Sequence, residues 1–195
     1  KENPILKEGG IEEIQTVIDK TGVTVETICA DYFMTAPIHS KDNSVAEQSL
    51  KILGQLLTMA EQLRVTDIVI PCVDNSSLKD TKAIKRFVVK ARTILERLEN
   101  KQINISLETD LAPQPLIELL DKFDSDRITV SYDIGNSASL GYDPHEEFAA
   151  YGEIISHLHV KDRILGGGSV ILGTGDANIS GVFELVEQYN FQGPI

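Results

Sequence analysis

The sequence predicts an α/β fold, a parallel sheet with helices packed outside it, and three features carry that reading. Short apolar runs of period two alternate with amphipathic stretches of period 3.6 along the chain. Residues able to bind metal recur at the carboxyl ends of successive strand-like runs. No internal repeat or low-complexity tract interrupts the alternation.

Helical spacing comes first, in Ile11, Ile14, Val17 and Ile18, ahead of a Thr21-Gly22 stop. A β-rich run follows at Val23-Thr24-Val25-Glu26-Thr27-Ile28-Cys29-Ala30. The next helix is the clearest: Asn43 or Ser44 can cap it, and Val45, Leu53, Leu56, Leu57, Ala60 and Leu63 form one stripe. Asp67-Ile68-Val69-Ile70-Pro71-Cys72-Val73 is a short apolar strand. A charged helix over residues 80–99 turns Ile84, Phe87, Val88, Ala91, Ile94, Leu95 and Leu98 inward. Residues 103–107 read as a strand and 115–123 as a short helix, with Pro115 early in it, where Pro is tolerated. Residues 128–132 are a strand, 144–154 a helix and 155–160 the fifth strand. A glycine-rich loop over 166–175 leads to a helix over 180–189.

Such alternation implies a parallel sheet, and both a doubly wound sheet and an eight-stranded barrel satisfy it. Gly166-Gly167-Gly168 lacks the spacing of a dinucleotide fingerprint and does not open a helix directly. The polar residues at strand ends separate the two folds. Ile105-Ser106-Leu107-Glu108 ends in a carboxylate, as does Thr129-Val130-Ser131-Tyr132-Asp133. Side chains alternate along a strand, so Ile155-Ser156-His157-Leu158-His159-Val160-Lys161-Asp162 puts both imidazoles on one face. In a parallel barrel the carboxyl ends of the strands open onto one rim, where the site belongs. The fold expected is therefore a (β/α)8 TIM-barrel type, with about five parallel strands and their outer helices in this chain.

Glu108, Asp133 and a histidine would converge on that rim. Their mixed oxygen and nitrogen donors suit one divalent ion, Mn²⁺, Mg²⁺, Co²⁺ or Zn²⁺. Singly, each residue has an ordinary use, a carboxylate capping the next helix or a hydrogen-bonded core histidine. Three in succession point to a site. His39 and His145, near Pro37 and Pro144, are expected on the surface.

At 195 residues, 42% hydrophobic and 25% charged, the chain reads as a single soluble domain, residues 1–195. No apolar run approaches the roughly 20 residues that span a bilayer, and Lys1-Glu2-Asn3-Pro4 has no apolar signal core. Cys29 and Cys72 lie in apolar runs and are expected to be buried free thiols, which suits a reducing cytoplasm. A net charge of −12 opposes nucleic acid and anionic membrane as partners. A sugar, or a sugar phosphate held in a local basic pocket, remains compatible, as does a homo-oligomer.

Four segments then carry a resemblance: Leu107-Glu108-Thr109-Asp110, Tyr132-Asp133-Ile134-Gly135-Asn136, His157-Leu158-His159-Val160-Lys161-Asp162 and Leu172-Gly173-Thr174-Gly175-Asp176. In this order they resemble the sugar-phosphate isomerase/epimerase group of the xylose-isomerase-like TIM barrels, which includes hexulose-phosphate and L-xylulose-phosphate 3-epimerases. The resemblance implies that Glu108 is both metal ligand and acid/base group. It makes Asp133 the second ligand and His159, rather than His157, the third. Asn136, on an Asp-x-Gly-Asn turn, would face the substrate, with His157 beside it. The implied chemistry removes a proton next to a carbonyl, forms an enediolate and returns a proton elsewhere. Backbone amides of the glycine-rich loop, those of Gly173 and Gly175 included, could bind a phosphate, with charge from Lys161 or Arg163.

The family builds eight strands, and the five here resemble its third to seventh, so the first two and the last are expected to be absent. The last would carry a second acid/base Glu, also the fourth ligand, after Ile195. Two other readings compete with the epimerase. An endonuclease-IV-like nuclease shares the barrel but fits poorly with four histidines and −12. A non-catalytic barrel remnant binding a metabolite or partner would lack the Glu-bearing strand downstream.

Overall fold

The computed structural model describes residue 5, residues 7–98 and residues 101–195. Residues 1–4 and the last residue of the helix expected over 80–99 lie outside the described residues. The five apolar runs form one sheet in chain order: β1 (Thr27–Cys29), β2 (Asp67–Cys72), β3 (Asn104–Thr109), β4 (Ile128–Asp133) and β5 (Ile155–His159). Every neighbouring pair is parallel, as the alternation predicts.

Side-chain alternation sorts the two faces. Ile68, Ile70, Ile105, Leu107, Val130, Tyr132 and Leu158 are buried in the hydrophobic core beneath the helices. The residues that alternate with them face the other way, and apart from Val69 and Pro71 on β2 they are largely polar: Asp67, Asn104, Ser106, Thr129 and Ser131. A register shift between Val130 and Ser131 gives β5 one extra residue. Ser156 and His157 therefore both reach the polar face, Ser156 to Thr129 at 2.7 Å and His157 to Ser131 at 3.0 Å.

That face settles which of the two folds is present. Ser156 Oγ donates to Asp67 Oδ1 at 2.6 Å, joining β5 to β2. In a flat sheet those strands would stand three spacings apart, roughly 14 Å. The sheet is instead curled into part of a barrel wall, with the polar residues inside.

Helices α1 (Gly10–Thr21), α3 (Asn43–Leu63), α4 (Thr81–Leu98), α5 (Pro113–Leu120), α7 (Pro144–Tyr151) and α8 (Ile179–Gln188) accompany the strands. Asp42, one residue before the expected cap, starts α3 by accepting from the Ser44 amide at 2.8 Å. Leu53, Leu57 and Ala60 then form its buried stripe. Phe87 on α4 is fully buried edge-on to Phe123, and a ring so placed contributes about 1.5–3 kcal/mol.

Several local expectations need correction. β1 has three residues where the run 23–30 suggested more. Two short helices were not anticipated, α2 (Tyr32–Thr35) and α6 (Ile134–Leu140), and an antiparallel hairpin of β6 (Asp162–Arg163) and β7 (Ser169–Val170) leads into the glycine-rich stretch. Cys72 is buried as expected, whereas Cys29 is exposed. Among the described residues no helix is long and apolar enough to cross a membrane.

His145 is exposed at the start of α7, but His39 is 5% exposed, edge-on to Phe87 with centroids 5.9 Å apart. The neighbouring Arg86 ties this loop to α4 by donating to the His39 carbonyl at 2.7 Å. Burial, reinforced by Arg86, lowers the His39 imidazole from 6.5 to about 4. The folded chain thus refuses a proton that the unfolded chain accepts. His39 leaves stability intact above about pH 6.5 and erodes it progressively as the pH falls towards 4, by at most about 3 kcal/mol. Urea melts across that range should show a shallower acid loss in His39→Phe than in the wild type. Parallel curves would remove His39 as the cause.

Candidate metal centre

Three strand ends deliver the site. Glu108 from β3, Asp133 from β4 and His159 from β5 present ligand atoms that all lie within 4.8 Å of one another. His159 Nδ1 is 3.4 Å from Glu108 Oε2 and 3.8 Å from Asp133 Oδ2. Ligands at roughly 2.1 Å from one ion stand about 3.0–3.5 Å apart in octahedral or tetrahedral shells, so this spacing requires only slight closure. Two hard carboxylates with one imidazole are donors that suit Mg²⁺, Mn²⁺, Co²⁺ or Zn²⁺. The residues fit the ion that the sequence implies.

Each group is held by its neighbours. Asp133 is 5% exposed, and burial raises its pKa against the opposing pull of Lys161, whose ammonium lies 2.7 Å from Oδ2. Its Oδ1 accepts from the Asn136 amide at 2.8 Å, which makes Asp133 the cap of α6. The segment expected to be an Asp-x-Gly-Asn turn is in fact the first turn of that helix. Asn136 Nδ2 donates to Glu108 Oε1 at 2.6 Å, and Arg163 Nη1 donates to Asn136 Oδ1 at 2.7 Å. A hydrogen bond to Glu108 raises the His159 pKa, helped by the charges of both carboxylates and opposed by burial.

His157 stands one layer below the rim. It is 5% exposed, bonded to Ser131 and T-stacked under His159 with centroids 4.6 Å apart. Burial lowers its pKa, so it stays neutral among these polar groups. The structure does not bring it to the cleft wall.

A cleft of about 620 Å³ opens over the three ligand residues, lined also by Cys29, Asp31, Lys79, Asp110, Asn136, Lys161, Arg163 and Gly166. Asp31, Lys79 and Asp110 were not singled out from sequence. Asp110 lies two places beyond Glu108, and that spacing at a strand end was the available signal. It is pinned by Lys79 at 3.0 Å and by Ser77 at 2.8 Å. The Cys29 thiol donates to Asp31 at 3.1 Å. Although the residue as a whole is exposed, partial desolvation of the thiol in the cleft, together with Asp31, pushes its pKa up to about 12, so it stays a thiol. A larger space, about 900 Å³, lies at the opposite strand ends beside Asp67 and Asn104. Among the described residues no group of three potential metal ligands gathers there.

The Gly173 and Gly175 amides, expected to be free for a phosphate, are already engaged within the chain. The amides of Gly173 and Gly175 donate to Asp162 Oδ2 at 2.9 and 2.8 Å, and that of Ala177 to Oδ1 at 3.1 Å. These bonds hold the buried Asp162 carboxyl below its usual range, the Gly175 bond foremost. Those three bonds brace β6 at Asp162.

Gly135 lets β6 approach. A Cβ there would stand 2.6 Å from Lys161 Cγ, which would have to move, and 3.0 Å from the Lys161 carbonyl oxygen, a tight contact that the backbone would have to relieve. Gly135→Ala is expected to cost about 1–3 kcal/mol and to loosen Lys161 from Asp133. Chemical denaturation would measure the first effect, and a loss below about 0.5 kcal/mol would show that the loop yields freely.

Behind α6 a buried Glu147 accepts from Tyr132 at 2.8 Å, from Tyr151 at 2.7 Å and from Ser137. Burial raises its pKa while the three hydroxyls oppose the rise. This cluster clamps α6 to α7, fixing the backbone that carries Asn136.

Known proteins share this fold. L-ribulose-5-phosphate 3-epimerase UlaE of Escherichia coli O1:K1 is 25% identical over 189 residues, covering 91% of this chain. The match spans 65% of that relative's own length. A solved D-tagatose 3-epimerase-like protein superposes with a TM-score of 0.78 at 19% identity, covering 97% of this chain and 76% of that one. A xylose isomerase-like TIM barrel protein from Mycobacterium smegmatis, solved in complex with magnesium, gives 0.74 at 18% identity, covering 98% and 71%. These likenesses agree with the curled sheet of parallel strands. The model of the xylose isomerase-like TIM barrel family matches residues 2–195, and the chain belongs to that family.

Proposed function

We propose that the chain forms the metal-binding part of a sugar or sugar-phosphate 3-epimerase, an isomerase that abstracts a proton next to a carbonyl and proceeds through an enediolate. The observation that carries this reading is the convergence of Glu108, Asp133 and His159 within 4.8 Å beneath an open rim cleft. The epimerase relative and the epimerase-like neighbour support the substrate class.

A divalent ion held by Glu108, Asp133 and His159 would polarise the substrate carbonyl and offset the charge growing on its oxygen. Glu108 is the base. Its Oε1 is occupied by the Asn136 amide, and its Oε2 faces the centre of the site. Lys161 supplies positive charge beside Asp133 and lines the cleft, where it can donate to a substrate oxygen. Asn136 holds Glu108 and shares the wall that a substrate hydroxyl would meet.

The curated relative extends beyond the matched span, so the test uses the full-length protein. Loaded with Mn²⁺ and incubated in deuterated water with ketoses and ketose 5-phosphates, it should exchange the proton at carbon 3 and yield the 3-epimer, followed by NMR. Proton retention with every substrate at full metal occupancy would refute the reading.

A further inference from the structure

We infer that Arg163 is a positioning residue that fixes the orientation of Glu108 through the side-chain amide of Asn136. This inference rests on the proposed function only in naming Glu108 the base.

An arginine carries five N–H donors and no acceptor, so whatever faces it closely must be an oxygen. Arg163 Nε and Nη2 both donate to the Gly167 carbonyl, at 3.0 and 2.6 Å, which locks the guanidinium plane against the hairpin turn. The remaining arm, Nη1, points at Asn136 at 2.7 Å. Because that arm can only donate, the Asn136 oxygen is turned towards it and the Asn136 NH₂ is turned away, onto Glu108 Oε1 at 2.6 Å. A flipped amide would set its oxygen against the Glu108 carboxylate and its NH₂ against the guanidinium, two repulsions at once.

One rotamer of Asn136 therefore satisfies both neighbours, and Arg163 is what selects it. With Oε1 taken, Glu108 keeps Oε2 on the His159 side, 3.4 Å from Nδ1. Three of the five N–H donors of Arg163 are engaged by protein oxygens, which fixes the guanidinium plane and its direction towards Asn136. The chain of bonds runs from Gly167 through Arg163 and Asn136 to Glu108, and it joins the glycine-rich hairpin to the base.

The test uses the full-length protein with R163M, R163K, N136A and the double variant R163M/N136A. In the metal-free ¹⁵N-labelled protein, the Asn136 side-chain NH₂ signals, assigned by their loss in N136A, should exchange with solvent at least about tenfold faster in R163M. Unchanged exchange would overturn the inference. Mn²⁺ titration should show affinity losses of about 10- to 100-fold in R163M and in N136A, as for other groups that orient a ligand. The double variant should lose no more than the worse single variant, because both changes break the same chain. Losses that multiply would mean that Arg163 acts independently of Asn136, and would also overturn it. R163K retains a donor for Asn136 and should recover most of the Mn²⁺ affinity; an R163K as weak as R163M would count against the orienting role.

Neither readout needs substrate. A protein without epimerase activity would sink the proposed function, while amide exchange and Mn²⁺ affinity would still decide the role of Arg163. If turnover is present, R163M should lower kcat with KM changed less than about twofold. A KM rise confined to phosphorylated substrates would identify Arg163 as an anion contact instead.

Discussion

Glu108→Gln in the full-length protein should cut turnover and carbon-bound proton exchange by about 10²–10⁴-fold, the range that general-base assistance commonly supplies. The substitution is nearly isosteric, and the amide oxygen of Gln can still accept from Asn136 as Glu108 Oε1 does at 2.6 Å. What it removes is the negative oxygen at the centre of the site. Metal loading is to be verified in the variant, since Glu108 is also a candidate ligand. Exchange with deuterated water is then compared at matched Mn²⁺ occupancy. Exchange that stays within threefold of the wild type would take Glu108 out of the chemistry and leave it a ligand only.

Asp133→Asn should weaken Mn²⁺ binding by at least about 100-fold. Outer partners of a ligand already cost 10- to 100-fold, and Asp133 is placed as a ligand itself. The fold should tolerate the change, because Asn retains an oxygen for the Asn136 amide that starts α6. Lys161, now facing an uncharged amide, loses its counter-charge and would repel an incoming cation, adding to the deficit. Isothermal titration with Mn²⁺ measures the affinity, and thermal denaturation of the metal-free proteins confirms that both are folded. An affinity within threefold of the wild type would mean that the ion sits elsewhere.

Where the sequence could be read and where it could not has a physical pattern. β3 and β4 were legible because one face packs under helices and the other is polar, which prints period two into Ile105-Ser106-Leu107-Glu108 and Thr129-Val130-Ser131, and β2 because it is a short apolar run, Ile68-Val69-Ile70. The strand-end position of Glu108, Asp133 and His159 followed from the same alternation. α6 was not legible, because Ile134-Gly135-Asn136-Ser137-Ala138-Ser139-Leu140 carries small and polar residues with no apolar stripe. It is a helix because Asp133 caps it and Glu147 clamps Ser137 from α7. Burial of His39 depends on Phe87, 48 positions along by their numbers and on another element, so no local pattern announces it. The loop glycines pointed to phosphate because free amides are what such loops offer. Asp162, just outside the loop, takes those of Gly173 and Gly175.

The hydrogen bond from Ser156 to Asp67 bears on how the molecule comes together in time. Every sheet pairing joins strands adjacent in the chain, and the inner bond from Ser106 to Thr129, between β3 and β4, closes a segment of only 23 residues. The bond from Thr66 to the Glu26 carbonyl, beside the pairing of β1 with β2, spans 40, and that from Ser156 to Asp67 spans 89. Loop-closure entropy makes the last costlier than the first by roughly 1 kcal/mol, before any contact repays it. The sheet can therefore zip up by short-range steps, with β3 and β4 the favoured nucleus. The pairing of β4 with β5, closed by the Thr129–Ser156 bond over 27 residues, is almost as local and brings His159 beside Asp133. The three metal ligands are thus assembled by short-range steps, and the curl that joins β5 to β2 comes last.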